Sequence, residues 1–234
     1  MNGTHLSKRL QTVSDHVEPG SRLADIGSDH AYLPIYLAKH KVIDYGVAGE
    51  VAKGPLSNAT KEITKEGLLT ILHPRLADGL SAIQPQDQID TITIAGMGGI
   101  LISDILENGQ ARLSGREKLI LQPNVGEVVV RRWLMTHHYQ IKAEQILEED
   151  GHIYEVITAV KSARLIHYSA KQLRFGPYLL AEKSPIFITK WLEECRQLQR
   201  VVTNMRRAAH EDTLKIQEIE QQIQEIDEVV NREG

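Results

Sequence analysis

The sequence predicts an α/β protein: a mostly parallel sheet covered by helices, closed by an antiparallel hairpin and followed by a helical appendage. Three observations carry this expectation. Short β-rich runs alternate with helical stretches through the first 160 residues, the pattern of parallel strands joined by helical crossovers. The last two runs, 140–147 and 153–160, have only residues 148–152 between them. That link is too short for a crossover, so these strands pair antiparallel. Beyond Val160 the strand signal stops, and apolar residues recur at three- and four-residue intervals.

The five strands before the hairpin are expected at 22–26, 45–49, 70–73, 91–95 and 118–122. Helices are expected at 4–16, 31–39, 53–66, 99–107 and 125–137. A sheet domain over 1–161 then precedes a helical domain over 162–234. In the latter, Ile188, Trp191, Cys195, Leu198, Val202, Met205 and Ala209 form one seam. Past Asp212, Ile216, Ile219, Ile223, Ile226 and Val230 continue it as a coiled-coil stripe. Either one helix runs through, or the chain reverses near 208–213, where Asp212 or Thr213 caps a second helix. The reversal is preferred, because it lays an acidic half against a basic half. A through-running helix would instead need a partner chain to cover its stripe, so a monomer is expected.

Apolar residues make up 41% of the chain and charged ones 25%, which places it among ordinary globular proteins rather than disordered ones. The longest apolar runs are strand-sized, and residues 1–5 lack the basic-then-apolar profile of a signal peptide. The single cysteine, Cys195, excludes an intrachain disulfide and any multi-cysteine metal site. A cytoplasmic protein with neither membrane span nor metal is expected. The net charge of −4 conceals a pattern: nine basic and three acidic residues lie between Arg164 and Arg207, and two basic and eight acidic ones follow from Ala208. Attraction fades beyond about a Debye length, ~8 Å at physiological salt, so such a local patch is compatible with a polyanion. It is equally compatible with a solvated helix.

Chemistry concentrates at the strand ends. Asp25-Ile26-Gly27-Ser28-Asp29-His30 closes the first strand and leads into a helix, a nucleotide-type turn. A dinucleotide fingerprint would place further glycines after Gly27, where Asp29 and Ala31 stand instead. A carboxylate beside a pyrophosphate repels it, which argues against NAD. S-adenosylmethionine has no phosphate and carries a sulfonium and an α-amino group, so Asp25 and Asp29 suit its amino-acid end. An ordinary Asx-capped turn is the bland alternative. Glu50, with Val51 behind it, ends the second strand about 23 residues beyond Gly27, where a carboxylate accepts both ribose hydroxyls. Asp78-Gly79 follows the third strand, placed to accept the adenine amine. Ala95-Gly96-Met97-Gly98 follows the fourth without the Lys-Ser/Thr of a phosphate loop, leaving room for a flat acceptor base. Gln122 and Asn124 close the fifth and offer amide groups near the acceptor, or serve a structural turn.

Several of these blocks are familiar together. Leu6-Ser7-Lys8-Arg9-Leu10, the stretch from Ala24 to Pro34, Ala48-Gly49-Glu50, Ile94-Ala95-Gly96-Met97-Gly98-Gly99, Ile120-Leu121-Gln122-Pro123-Asn124 and Leu147-Glu148-Glu149-Asp150-Gly151 resemble the TrmK family of bacterial tRNA (adenine-N1)-methyltransferases, which modify adenine 22. The resemblance implies a Rossmann-like class I methyltransferase with a seven-stranded sheet and a C-terminal coiled-coil domain. It implies S-adenosyl-L-methionine as cofactor and tRNA as substrate. The turn residues Asp25, Ile26, Gly27, Ser28, His30 and Ala31 would line the cofactor with Glu50, Val51, Asp78, Gly79, Ala95, Gly96, Met97 and Gly98. Asp29, which replaces a glycine of the general pattern, becomes the candidate catalytic carboxylate. Lys8, Arg9, Arg196, Arg200, Arg206 and Arg207 become candidate phosphate contacts. Other readings stay open: a methyltransferase of a small molecule, protein or DNA, or a non-catalytic interaction protein whose coiled coil is a dimerisation arm.

Overall fold

The computed structural model describes residues 5–207 and 212–231. The chain divides into two compact units, Met1–Pro177 and Tyr178–Gly234. In the first, α1 (Lys8–Asp15) precedes β1 (Ser21–Ile26), α2 (Tyr32–Lys39), β2 (Ile43–Glu50), α3 (Lys53–Lys65) and β3 (Leu72–Leu76). There follow β4 (Thr91–Gly98), α4 (Gly99–Asn108), β5 (Lys118–Val125), α5 (Glu127–Thr136), β6 (Tyr139–Glu149), β7 (His152–Lys161) and α6 (Ala170–Phe175). The seven strands form one sheet in the order β3-β2-β1-β4-β5-β7-β6. β1 to β5 are parallel, and β7 runs antiparallel to both β5 and β6. Every expected strand is present.

The central strands are mostly apolar because helices cover both faces. Ala24, Ile26, Ile92, Ile94, Leu119 and Leu121 pack with α4 and α5 on one side. Leu23, Ala48 and Ile120 pack with α1, α2 and α3 on the other. This arrangement places the carboxyl ends of β1, β2, β4 and β5 side by side, the edge at which open α/β sheets bind ligands.

Three boundaries differ from expectation for physical reasons. β3 was expected to stop at His73, before a proline, yet it runs through Pro74 to Leu76. β3 is an edge strand, where proline's missing N–H breaks no ladder. α1 starts only at Lys8, because Ser7 caps it and accepts the Leu10 N–H; Thr4 lies outside the described residues. α5 starts at Glu127, because Gly126 takes a left-handed turn before it.

The first unit is locked by an ion cluster. Arg131 on α5 donates to Glu144 on β6 (2.6 Å) and to Glu155 on β7, and all three side chains are fully buried. Burial opposes its charge, but the two carboxylates outweigh that and hold the guanidinium protonated. Its remaining N–H groups reach the carbonyls of Leu173 and Arg174 on α6 (3.3 and 3.4 Å). The segment after β7 is thereby tied down with the sheet.

The second unit, from Tyr178, contains the rest of α7 (Pro177–Glu182), α8 (Pro185–Arg206) and α9 (Thr213–Asn231). The helices pack antiparallel: Val202 meets Ile216 and Ile219, Arg206 pairs with Glu220 (2.5 Å), and Cys195 approaches Asp227 (3.7 Å). This is the expected hairpin of helices; residues 208–211, where the reversal was expected, lie outside the described residues. At the far end Val229 is buried rather than Val230, because a 3.6-residue helix drifts against a 3.5-residue seam. Among the described residues no helix is long and apolar enough to cross a membrane.

Candidate active site

The turn after β1 uses rare backbone conformations. Gly27, Asp29 and Ala31 have φ of 72°, 50° and 56°. Glycine enters this region freely, whereas Asp and Ala there cost of order 1 kcal/mol each. Neighbouring strands hold the turn in place. The N–H groups of Gly27 and Ser28 both donate to the Gly49 carbonyl at the end of β2 (2.9 and 3.3 Å). The Asp29 N–H donates to the Glu50 carboxylate. Asp25 is buried and accepts from the hydroxyls of Ser28 (2.5 Å) and Thr93 (2.6 Å), so both its oxygens shape the turn. Burial pushes its carboxyl above the usual range.

Glu50 is buried as well, and its pKa is raised chiefly by burial. The Asp29 N–H bond works against that shift, and the charges of Asp25 and Asp29 add to it. A raised pKa means that the folded chain disfavours the ionised form. That part of stability is present below the ordinary carboxylate pKa and lost as pH rises through the raised value. Glu50→Gln is therefore expected to raise Tm at pH 7 by about 2–4 °C per kcal/mol relieved. The gain should vanish toward pH 4, where the wild-type carboxyl is protonated too. Calorimetry across pH checks this, and a Tm at pH 7 unchanged or lowered would show the charge to be well accommodated.

Ile26 is buried in the strand. Asp29 is open, its side chain 72% exposed and 3.8 Å from His30, whose ring stacks on Tyr32 at 5.1 Å. Val51, directly after Glu50, is 70% exposed, a large apolar side chain standing in solvent beside a buried acid. Asp78 and Gly79 line a cavity of about 320 Å³ with Leu101 and Asp104. A Cβ on Gly27 would lie 1.9 Å from the Met97 methyl, so the β1 turn and the end of β4 face each other across a cradle without side-chain room.

The glycines at the end of β4 are there for different reasons. Gly96 has φ 78°; its N–H donates to Gln122 Oε1 (2.9 Å) and its carbonyl accepts from Asn124 (2.9 Å). Gly98 faces open space. At Gly99 a Cβ would lie 2.2 Å from the Gly126 carbonyl, so only glycine lets α4 start there. Ala95 precedes the register shift that lifts this segment out of regular pairing with β5.

Arg9 sits at this same corner. Glu149 at the end of β6 accepts the N–H groups of Lys8 and Arg9, fixing the start of α1 with a carboxylate where the helix dipole favours one. The Arg9 guanidinium donates to Gln122 Oε1 (2.5 Å) and lies over the Tyr154 ring at 5.5 Å. Lys8 is exposed, its ammonium on the Glu148 carbonyl (3.0 Å). In the second unit Arg196 and Arg200 line a cavity of about 440 Å³ on one face of α8 with Gln199, Thr203 and Asn204. Arg207 closes that helix, whereas Arg206 is engaged with Glu220.

Sequence reasoning missed three residues of this site: Thr93, Glu149 and Tyr154. Thr93 had a signal, a polar residue in the buried run Thr91-Ile92-Thr93-Ile94, in register with Asp25. The other two come from the hairpin, more than a hundred residues from Arg9 in sequence; Tyr154 had no signal, and Glu149 had only its place in the block Leu147–Gly151.

A seven-stranded sheet with an antiparallel β7 between β5 and β6, and an acid after each of the first three strands, is the Rossmann-like fold of class I methyltransferases. The profile of the TrmK family, tRNA (adenine(22)-N(1))-methyltransferase, matches residues 23–228, and the chain belongs to that family. It is 40% identical to the tRNA (adenine(22)-N(1))-methyltransferase of Bacillus subtilis, over 99% of each chain. The crystal structure of a Streptococcus pneumoniae protein in complex with S-adenosyl-L-methionine is similar, with a TM-score of 0.89 and 43% identity over 97% of this chain and 100% of that one. That of M. capricolum TrmK with the natural cofactor product S-adenosyl-homocysteine gives 0.85 and 29%, over 97% and 98%.

Proposed function

We propose that this chain transfers the methyl group of S-adenosyl-L-methionine to N1 of adenine 22 in tRNA. The observation that carries the reading is the turn Asp25–Ala31 locked onto Glu50, in a chain whose whole length matches methyltransferases of that specificity. The cradle at Gly27 and the buried Glu50 fit the cofactor: Glu50 for the ribose hydroxyls, Val51 against the adenine face, Asp78 and Gly79 for its amine. Asp25, Ile26, Gly27, Ser28, His30 and Ala31 frame the amino-acid end, and Ala95, Gly96, Met97 and Gly98 border the acceptor. Bound there, the cofactor supplies an electrophilic methyl on a sulfonium.

N1 of adenine carries an accessible lone pair at neutral pH, so the chain has no strong base to provide. Its task is alignment of the nitrogen with the methyl. N1 is paired inside a duplex, and the base must be extruded to reach the site. The product ring is cationic, and the exposed carboxylate of Asp29 is the group placed to stabilise that charge as it develops. Lys8, Arg196, Arg200 and Arg207 have no carboxylate partner for their side-chain cations among the described residues and can meet RNA phosphates; Arg206 would first have to leave Glu220.

Labelled-methyl transfer to unmodified tRNA, followed by mapping of the modified nucleotide, tests the reading; label at another position, or none, overturns it. Replacing Arg196, Arg200 and Arg207 by Gln is expected to flatten the plot of log affinity against log salt by roughly 0.7–0.9 per lost phosphate contact. An unchanged slope would remove α8 from the RNA interface.

A further inference from the structure

We propose that Ile100 and Val125 form an aliphatic wedge at the rim of the acceptor opening. It packs on the bases bordering adenine 22 and fills part of the gap left when that base is extruded. The proposal rests on the assignment of adenine 22 in tRNA as substrate. Both side chains are 67% exposed. A lone exposed aliphatic group needs no account, but these two stand on adjoining backbone at the ligand-binding edge of the sheet.

Packing of the fold does not call for either residue. Helix α4 buries Gly99, Ile102, Ser103 and Leu106, a three- and four-residue seam that leaves Ile100 off the core face. Val125 is the last residue of β5, beyond the buried run that ends at Pro123. It pairs in register with Gly98, which faces open space and borders the acceptor. The two turns are pressed together. A Cβ on Gly99 would lie 2.2 Å from the Gly126 carbonyl oxygen and 3.1 Å from that of Val125. The wedge is thus carried on backbone that has little room to yield. Leu101, also exposed, lines the cavity of Asp78 and Gly79 and is left to the cofactor side.

The chemistry of this rim selects the part of the RNA that it meets. Neither 91–109 nor 119–130 contains a lysine, arginine or histidine, so these two segments bring no cation to a phosphate. Arg9, which reaches the corner from α1, is turned to Gln122. An aliphatic, cation-free surface suits the uncharged faces of bases, and apolar side chains of this kind are what proteins insert between base steps. The reaction supplies the need. Taking a base out of its stack uncovers the faces of its neighbours, and an apolar group placed there recovers part of that loss. The patch is continuous with the acceptor site, so it meets those faces as the base leaves.

Single-turnover methylation of two RNAs tests the wedge: unmodified tRNA, and the same tRNA made abasic at the residue facing adenine 22, where the target is already open. Ile100→Ser combined with Val125→Ser should slow transfer to the native tRNA by about 10- to 100-fold. On the opened tRNA the loss should be less than about threefold, because extrusion no longer has to be offset. Ile100→Met combined with Val125→Leu keeps the apolar bulk and should stay within about threefold of wild type on both. Isothermal titration with S-adenosyl-L-methionine should give the serine variant the affinity of the wild type, which together with its rate on the opened tRNA shows an intact fold. Equal losses on the two RNAs overturn the proposal, since the side chains would then act after extrusion. Wild-type rates on both overturn it as well and leave the patch to a second copy or a protein partner. Wild-type protein that labels neither RNA at adenine 22 ends the substrate assignment itself, whereas label there with unaffected variants ends only the wedge.

Discussion

Asp29→Asn is expected to lower the single-turnover rate of methyl transfer by about 10²–10³-fold on saturating tRNA and cofactor. The reasoning starts from the backbone. Asp29 has φ 50°, and its N–H is the group that Glu50 accepts. Asparagine tolerates the left-handed region as aspartate does, so the turn and its bond to Glu50 survive the change. Only the charge of an exposed carboxylate is lost. Methylation of N1 converts a neutral ring into a cation, so that charge acts more on the transition state than on bound adenine, and its loss appears in the rate rather than in KM. Asp29→Ala would be a poorer probe, because it also strains the turn. Full single-turnover rate in Asp29→Asn would remove Asp29 from the reaction.

The second large effect concerns stability. Arg131→Met is expected to destabilise the first unit by about 3–5 kcal/mol, because Glu144 and Glu155 would remain buried without their cation. At roughly 2–4 °C per kcal/mol for a chain of this size, Tm should fall by some 6–20 °C. Two buried carboxylates without their cation are costly only while they are ionised. The variant's deficit should therefore shrink as pH falls and they take up protons. Adding Glu144→Gln and Glu155→Gln to Arg131→Met should recover much of the loss, since buried ion clusters are expensive to break but not to replace. A small deficit in the single variant, independent of pH, would show that water reaches the cluster.

The Arg131 cluster also shows where reading the sequence stopped. The first unit extends to Pro177, past the end of β7 at Lys161, because Arg131 reaches the carbonyls of α6 and the Tyr168 hydroxyl accepts the Ile141 N–H (2.9 Å). Nothing in the composition of 162–177 marks those contacts. Arg9 is a parallel case. In the sequence it stands beside Lys8 on a polar helix start and reads as one more surface cation. Only the docking of α1 by Glu149 turns it toward Gln122.

What was legible in the sequence was whatever local physics decides. Hydrophobic periodicity located all seven strands and the helical seam, and the five-residue link fixed the antiparallel hairpin. Gly27 followed by Asp29 argued against a pyrophosphate, because the sign of a carboxylate's charge does not depend on the fold. Glu50 and Asp78 could be assigned to one edge of the sheet from their places at the ends of successive strands, since strand order carries such residues to one edge of a parallel sheet. What only the tertiary structure decided was the pairing of side chains distant in sequence: Thr93 with Asp25, Glu50 with the Asp29 N–H, Glu149 with α1, and Arg131 with Glu144 and Glu155. Each of these is a hydrogen bond or ion pair whose strength depends on a few tenths of an ångström and on burial, and neither is set until the strands are in register.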